Sequence, residues 1–133
     1  MPQSRFSFPT ETLHITPVTL PANTPLQAVF QQIAGDDWSL LYDSGTSTQS
    51  NSRYDIALWS PALTITTKAG TTEVRAQGDT LETIACKNEQ PLDTAKRYFT
   101  AFQQSITPDT ESQQYDELPL VLGLAGFCSY DLG

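Results

Sequence analysis

The sequence has few of the residues on which metal sites and thiol chemistry depend. One histidine, His14, and two cysteines, Cys86 and Cys128, occur in 133 residues. The cysteines form no Cys-x-x-Cys motif, and one histidine cannot complete a usual zinc ligand set. We therefore predict no metal site and no catalytic residue, with both thiols free and buried in a reducing compartment.

Positive charge and long apolar runs are also scarce. Seven Lys and Arg against fifteen Asp and Glu give a net charge of −8, the wrong sign for binding nucleic acid phosphates. No apolar run approaches the roughly 20 residues of a membrane span, and the first residues lack the pattern of a signal peptide. The sequence predicts a cytoplasmic protein without a nucleic acid or membrane partner.

The residues that are present suffice for one folded core. The chain is 38% hydrophobic and 10% aromatic, and its length matches a single domain. Residues 1–133 are therefore predicted to form one domain.

Two segments have helical periodicity. In the first, apolar residues recur three and four positions apart: Leu26, Val29, Phe30 and Ile33. Thr24 is a candidate N-cap, Pro25 suits the first helical position and Gly35 suits a left-handed stop. We predict a helix over residues 25–34.

The second segment predicts a helix over residues 91–106. One face of this segment is apolar, and its members are Leu92, Ala95, Phe99, Phe102 and Ile106.

Most other segments are strand-like, since β-branched and aromatic residues alternate with polar ones between turn signals. The predicted strands are LHITPVTL, WSLLYDS, RYDIALWS, LTITTKAG, TTEVRAQ and TLETIACK, with turns at Ala69-Gly70 and Gln77-Gly78-Asp79. Residues 107–117 are predicted to be an exposed linker, and the apolar stretch LPLVLGLAGFCSYDL an interior strand. The predicted fold class is α+β, with mostly antiparallel sheet and two amphipathic helices.

Three motifs, WSLLYDSG, SNSRYDIALWSP and GLAGFCSYDLG, resemble in order and spacing the N-terminal part of component I of the aminodeoxychorismate synthases. Anthranilate synthase component I and isochorismate synthase belong to the same chorismate-utilising superfamily. At position 55 the sequence resembles the aminodeoxychorismate branch, because it has Asp55 where anthranilate synthases typically have Ser. Asn51 and Leu122 depart from the family pattern.

The resemblance implies that the chain is the N-terminal fragment of a longer component I, an incomplete part of its β-sandwich-type fold. The implied parent converts chorismate to 4-amino-4-deoxychorismate for para-aminobenzoate and folate synthesis. It would use Mg²⁺ and ammonia from a glutamine amidotransferase subunit. The chorismate-binding domain, which holds the metal ligands, would lie outside this chain, so we expect no catalysis from the chain alone.

The same resemblance implies a tryptophan-type pocket lined by Ser44, Ser52, Arg53 and Tyr54. The residues alone leave a plainer reading open, in which the hydroxyls solvate a long loop and Arg53 forms a surface ion pair with Asp55.

Two other functions stay open at this point, and so does the oligomeric state. The chain could be a fragment of an anthranilate or isochorismate synthase, or a stand-alone module that binds an amino acid. If later elements of a longer chain are missing, unpaired edges and apolar faces would favour a homodimer. We expect such a dimer to form on residues 119–133 or on the edge beside them.

Overall fold

The computed structural model describes residues 11–43, 54–115, 118 and 122–128. These residues form an α+β structure with two α-helices and mostly antiparallel sheet, which confirms the predicted fold class. They divide into two compact units. In the described ranges, the first unit contains residues 11–16, 62–115, 118 and 122–127, and the second contains residues 17–43, 54–61 and 128.

The first unit contains a three-stranded antiparallel sheet in the order β4-β5-β6. Its strands are β4 (Thr64–Lys68), β5 (Thr71–Ala76) and β6 (Asp79–Ala85). Two-residue turns join them, and all four turn residues have positive φ: Ala69 (51°), Gly70 (78°), Gln77 (53°) and Gly78 (86°). Such turns match the right-handed twist of paired strands. The predicted meander and both of its turns are confirmed.

The centre of this sheet supplies the best-buried side chains of the first unit. Val74 and Thr72 on β5 are both 0% exposed. The cross-strand partners of Val74 are Ile65 and Glu82, whose side chains lie on the same face as Val74. A carboxylate therefore enters the inner face of the sheet and needs partners there.

Helix α2 (Pro91–Ser105) confirms the second predicted helix. Pro91 is the first helical residue and Asp93 lies in the first turn, where a carboxylate favours the positive end of the helix dipole. The predicted buried stripe was partly wrong. Leu92 is 67% exposed, whereas Thr94 (0%) and Tyr98 (3%) are buried. Both have hydroxyls that find acceptors, so their burial leaves no polar atom unpaired.

A parallel pair of short strands joins the first described residues of the chain to the segment after α2. Strand β1 (Glu11–Leu13) pairs with β7 (Ile106–Pro108), which follows α2 directly. The backbone N–H of Asp109 then donates to the carbonyl of Leu13 at 3.0 Å. A 3₁₀ turn follows over Ser112–Tyr115, and Ser112 is only 2% exposed. The prediction of an exposed linker over 107–117 was therefore partly wrong. Its described part contains the end of a strand and a 3₁₀ turn, although most of these residues are exposed.

The second unit contains α1 (Leu26–Phe30) and the antiparallel pair β2 (Leu40–Tyr42) and β3 (Ile56–Leu58). Helix α1 is shorter than predicted and continues as turns. Its N-cap is Pro25, without a side-chain cap bond, so Thr24 does not have the predicted role. The left-handed residue that precedes β2 is Trp38, with φ 67°, rather than Gly35.

The described part of the C-terminal apolar stretch contains no strand. Residues 123–128 are exposed, and Phe127 is 90% exposed. Cys128 is also exposed and Cys86 is half-buried, so the prediction of two buried thiols was wrong. The predicted interior strand is therefore not found in residues 122–128. About half of the predicted dimer segment lies outside the described residues, and the dimer stays a prediction.

Candidate functional site

The β2–β3 pair flanks the segment in which the tryptophan-type pocket was predicted. The register places Tyr42, the last residue of β2, opposite Ile56, the first residue of β3. The Cα atoms of such a pair are about 4.5–5.5 Å apart. Asp43 and Asp55 therefore lie at neighbouring positions, on either side of residues 44–53.

Of the four predicted pocket residues, the structure describes Tyr54. It is half-buried and lies two residues before β3. Ser44, Ser52 and Arg53 lie outside the described residues, so the pocket stays a prediction.

The Arg97 cluster, which the sequence analysis missed, lies between sheet and helix in the first unit. Its members come from β6, the β6–α2 connection and α2: Glu82, Glu89, Thr94, Arg97 and Tyr98. Arg97 donates to both carboxylate oxygens of Glu82 at 3.1 Å. It also donates to Glu89 through Nη2 at 2.9 Å and through Nε at 3.2 Å.

Two hydroxyls complete the cluster. The Tyr98 hydroxyl donates to Glu82 and the Thr94 hydroxyl to Glu89, each at 2.6 Å. The guanidinium also lies 5.0 Å from the centroid of the Tyr98 ring, within the range of a cation–π contact. No buried side-chain nitrogen or oxygen among the described residues lacks a partner.

These bonds favour the charged forms of Glu89 and Arg97. Hydrogen bonds from Arg97 and then from Thr94 lower the pKa of Glu89, because they stabilise the carboxylate. The same contact with Glu89 raises the pKa of Arg97, and Glu82 adds to the effect. A fully paired network suits a structural role, since catalysis needs a group that is free to exchange a proton or bind a substrate. One sequence signal could have indicated it, namely the acidic Glu82 at an inward position of a strand.

A second polar group joins β1 to the segment after β7. His14 Nδ1 lies 2.6 Å from Asp109 Oδ2. Because an ionised carboxylate only accepts, Nδ1 carries the proton. The backbone N–H of Ser112 donates to Asp109 Oδ1 at 2.7 Å, and the Ser112 hydroxyl accepts from the Ile15 N–H at 2.7 Å. Asp109 is thus the partner of His14 that sequence reasoning did not find.

This arrangement differs from a Ser-His-Asp catalytic triad. In a triad the imidazole lies between the hydroxyl and the carboxylate, whereas here Asp109 lies between His14 and Ser112. Bonds from the Ser112 side chain, the Ser112 backbone and His14, in that order, lower the pKa of Asp109. These hydrogen bonds connect the residues that follow β1 to Asp109 and to the 3₁₀ turn.

The described residues contain neither a candidate metal centre nor a membrane-spanning helix. No three His, Cys, Asp or Glu side chains in these ranges come together as candidate ligands of a metal ion. No helix among the described residues has both the length and the apolar character needed to cross a membrane.

Comparison with known proteins gives one distant relationship. The chain is 29% identical over 104 residues to aminodeoxychorismate synthase component 1 of Klebsiella aerogenes. The aligned region covers 78% of this chain and 21% of that relative, so the match spans about a fifth of the relative's length. No protein-family model matches the chain. No solved structure matches it either.

Proposed function

We propose that this chain is the N-terminal scaffold and regulatory part of a component I enzyme related to aminodeoxychorismate synthase component 1. The observation that carries the proposal is the similarity over 104 residues. The β2–β3 register supports it, because both ends of the segment that contains the proposed pocket start from paired strands.

In this proposal the parent enzyme converts chorismate to 4-amino-4-deoxychorismate for para-aminobenzoate and folate synthesis. Its ammonia comes from a glutamine amidotransferase subunit. Mg²⁺ acts in the parent's chorismate-binding domain, and no ligand for it is assigned to this chain. The contribution of this chain is to fold around a regulatory amino acid and support the catalytic domain.

The proposed ligand is tryptophan or a similar aromatic amino acid, held by Ser44, Ser52, Arg53 and Tyr54. Hydroxyl groups would accept from the ammonium group, the guanidinium would pair with the carboxylate and an aromatic side chain would pack on the indole ring. We expect binding in the millimolar range, about −4 kcal/mol, because part of the family's pocket lies outside this chain.

Fluorine NMR of 5-fluorotryptophan tests the pocket, since exchange broadening detects weak binding. We expect concentration-dependent broadening that Arg53→Ala abolishes. Arg75→Ala is the matched control because Arg75 is an exposed arginine of the first unit, and it should leave the broadening unchanged. No broadening by the wild-type chain, or equal loss in both variants, would refute the pocket.

An assay with chorismate, Mg²⁺ and ammonia tests the scaffold role separately. We expect no product from the purified chain. Turnover that survives removal of host enzymes would show that the chain itself is catalytic, contrary to the proposal.

A further inference from the structure

One end of the β2–β3 pair carries two exposed tryptophans and two exposed aspartates. We call it the tryptophan surface and define it by Asp36, Asp37, Trp38 and Trp59. The tryptophans are 52% and 50% exposed, and both aspartates are exposed. Large exposed aromatic side chains with polar neighbours are typical of interaction sites.

The β2–β3 ladder brings the two tryptophans to the same end of the strand pair. The register pairs Leu40, the first residue of β2, with Leu58, the last residue of β3. Trp38 lies two residues before that pair and Trp59 one residue after it. Both tryptophans, with Asp36 and Asp37 directly before Trp38, therefore lie at the same end of the ladder.

The backbone that carries Trp38 is held in an unusual conformation. Its φ of 67° is left-handed, a region that costs about 1–2 kcal/mol for a residue with a side chain. The Ser39 hydroxyl donates to the carbonyl of Ile33 at 2.7 Å, and the Ser39 N–H donates to the carbonyl of Asp36 at 3.4 Å. These bonds fix the backbone turn that carries the exposed ring.

Charge indicates which kind of partner fits this surface. The described part of the second unit contains four aspartates and neither lysine nor arginine. Asp43 accepts a hydrogen bond from Gln27 at 2.6 Å. Neither Asp36 nor Asp37 makes a side-chain hydrogen bond or ion pair with any residue in the described ranges. Their charge is available to a partner.

We propose that the tryptophan surface docks a cationic segment of another protein, through its lysine or arginine side chains. Indole is the side chain that attracts cations best, and a guanidinium can stack on the ring while it pairs with a neighbouring carboxylate. Tryptophan paired with arginine is also a frequent source of binding energy at protein interfaces. A nucleic acid partner would instead be repelled by the carboxylates.

Tryptophan fluorescence tests the proposal directly, because Trp38 and Trp59 are the two tryptophans of the chain. The probe is a short peptide of alternating glycine and arginine. Its controls are peptides in which citrulline or glutamate replaces arginine. We expect a saturable change in emission with the arginine peptide, weakened by salt, and none with the controls.

Variants locate the site. Asp36→Asn with Asp37→Asn should weaken peptide binding about tenfold. Asp79→Asn with Glu111→Gln changes the net charge equally, at exposed positions of the first unit, and should leave the affinity within about twofold.

Three results would overturn the proposal. The arginine peptide could leave the emission unchanged, or the two double variants could weaken binding equally, which would mean nonspecific attraction to an acidic chain. Alternatively, tryptophan emission could shift with protein concentration while light scattering grows. A second copy, and not a cationic partner, would then occupy the surface.

Discussion

Replacing Arg97 by methionine removes the guanidinium that holds Glu82 and Glu89 while keeping most of the apolar stem of the side chain. The two carboxylates are 20% and 23% exposed, and Arg97 is 34% exposed. In the variant, two partly buried negative charges would lose their shared partner. Their mutual repulsion would then act at the joint between β6 and α2.

The expected loss of unfolding free energy in Arg97→Met lies between two limits. Breaking a fully buried pair costs about 3–5 kcal/mol, whereas an exposed pair contributes about 0.2–1 kcal/mol. Because solvent reaches a third of Arg97, we expect a loss of about 2 kcal/mol in the free energy of unfolding. For a chain of this size the corresponding fall in Tm is about 8 °C.

The matched control is Arg75→Met. Arg75 lies 3.7 Å from Glu73 and also donates to the carbonyl of Gly78 at 2.7 Å. Because the Arg75 and Glu73 side chains are 49% and 44% exposed, the loss of these contacts should cost no more than about 1 kcal/mol. Far-UV circular dichroism in a urea titration is the suitable assay, because α2 has 15 residues. Tryptophan fluorescence is unsuitable, since both tryptophans lie in the second unit.

The acid dependence gives an independent check. The folded-state pKa of Glu89 is lowered from its usual 4.5. Its pairing therefore stabilises the fold above pH 4.5, and the stabilisation is lost as the pH falls through the folded-state pKa. The difference between wild type and Arg97→Met should be full at pH 7 and should shrink as the pH falls below about 4.5. Equal destabilisation by both arginine variants, or a difference that persists unchanged in acid, would refute the structural role of the cluster.

Three further predictions concern other parts of the first unit. Val74→Ala removes two buried carbon atoms from a fully buried side chain and should cost about 2 kcal/mol in a urea titration; a loss below about 0.5 kcal/mol would contradict the central place of Val74. Gly78→Val forces a β-branched residue to φ 86°, so it should lower stability by about 1–2 kcal/mol despite the open space around the glycine; an unchanged Tm would contradict the left-handed turn. Asp109→Asn should lower the Tm at pH 7, and the difference should shrink as the pH falls below about 3.8, because bonds from Ser112 and then from His14 lower the folded-state pKa of Asp109 from that value; a difference independent of pH would contradict the stabilisation of the charged carboxylate.

Several features of the fold followed from the sequence, because local chemistry decides them. Ala69-Gly70 and Gln77-Gly78 end strands with residues that suit a two-residue turn, and both turns have positive φ values. The start of α2 at Pro91 was likewise predictable, since proline suits the first helical position. These features depend on residues near one another in the chain.

The candidate sites were predictable only in part. The predicted strand segments on either side of the proposed pocket, WSLLYDS and RYDIALWS, contain β2 and β3. They were predictable because their apolar residues favour strands independently of the residues between them. The exposure of Trp38 and Trp59 was not foreseen, since periodicity treats an indole as a core residue. The role of the proposed pocket depends on resemblance, and local patterns alone do not supply it.

Contacts between residues far apart in the sequence decided which side chains are buried and which segments pair. Leu92 was expected in the core, yet Tyr98 and Thr94 are buried in the structure. The difference arises because the Tyr98 and Thr94 hydroxyls donate hydrogen bonds to Glu82 and Glu89. Likewise, the partner of His14 is 95 residues away, and β1 finds β7 across a similar separation. Sequence periodicity measures how apolar a face is, whereas the burial of a polar side chain depends on which partner the fold brings to it.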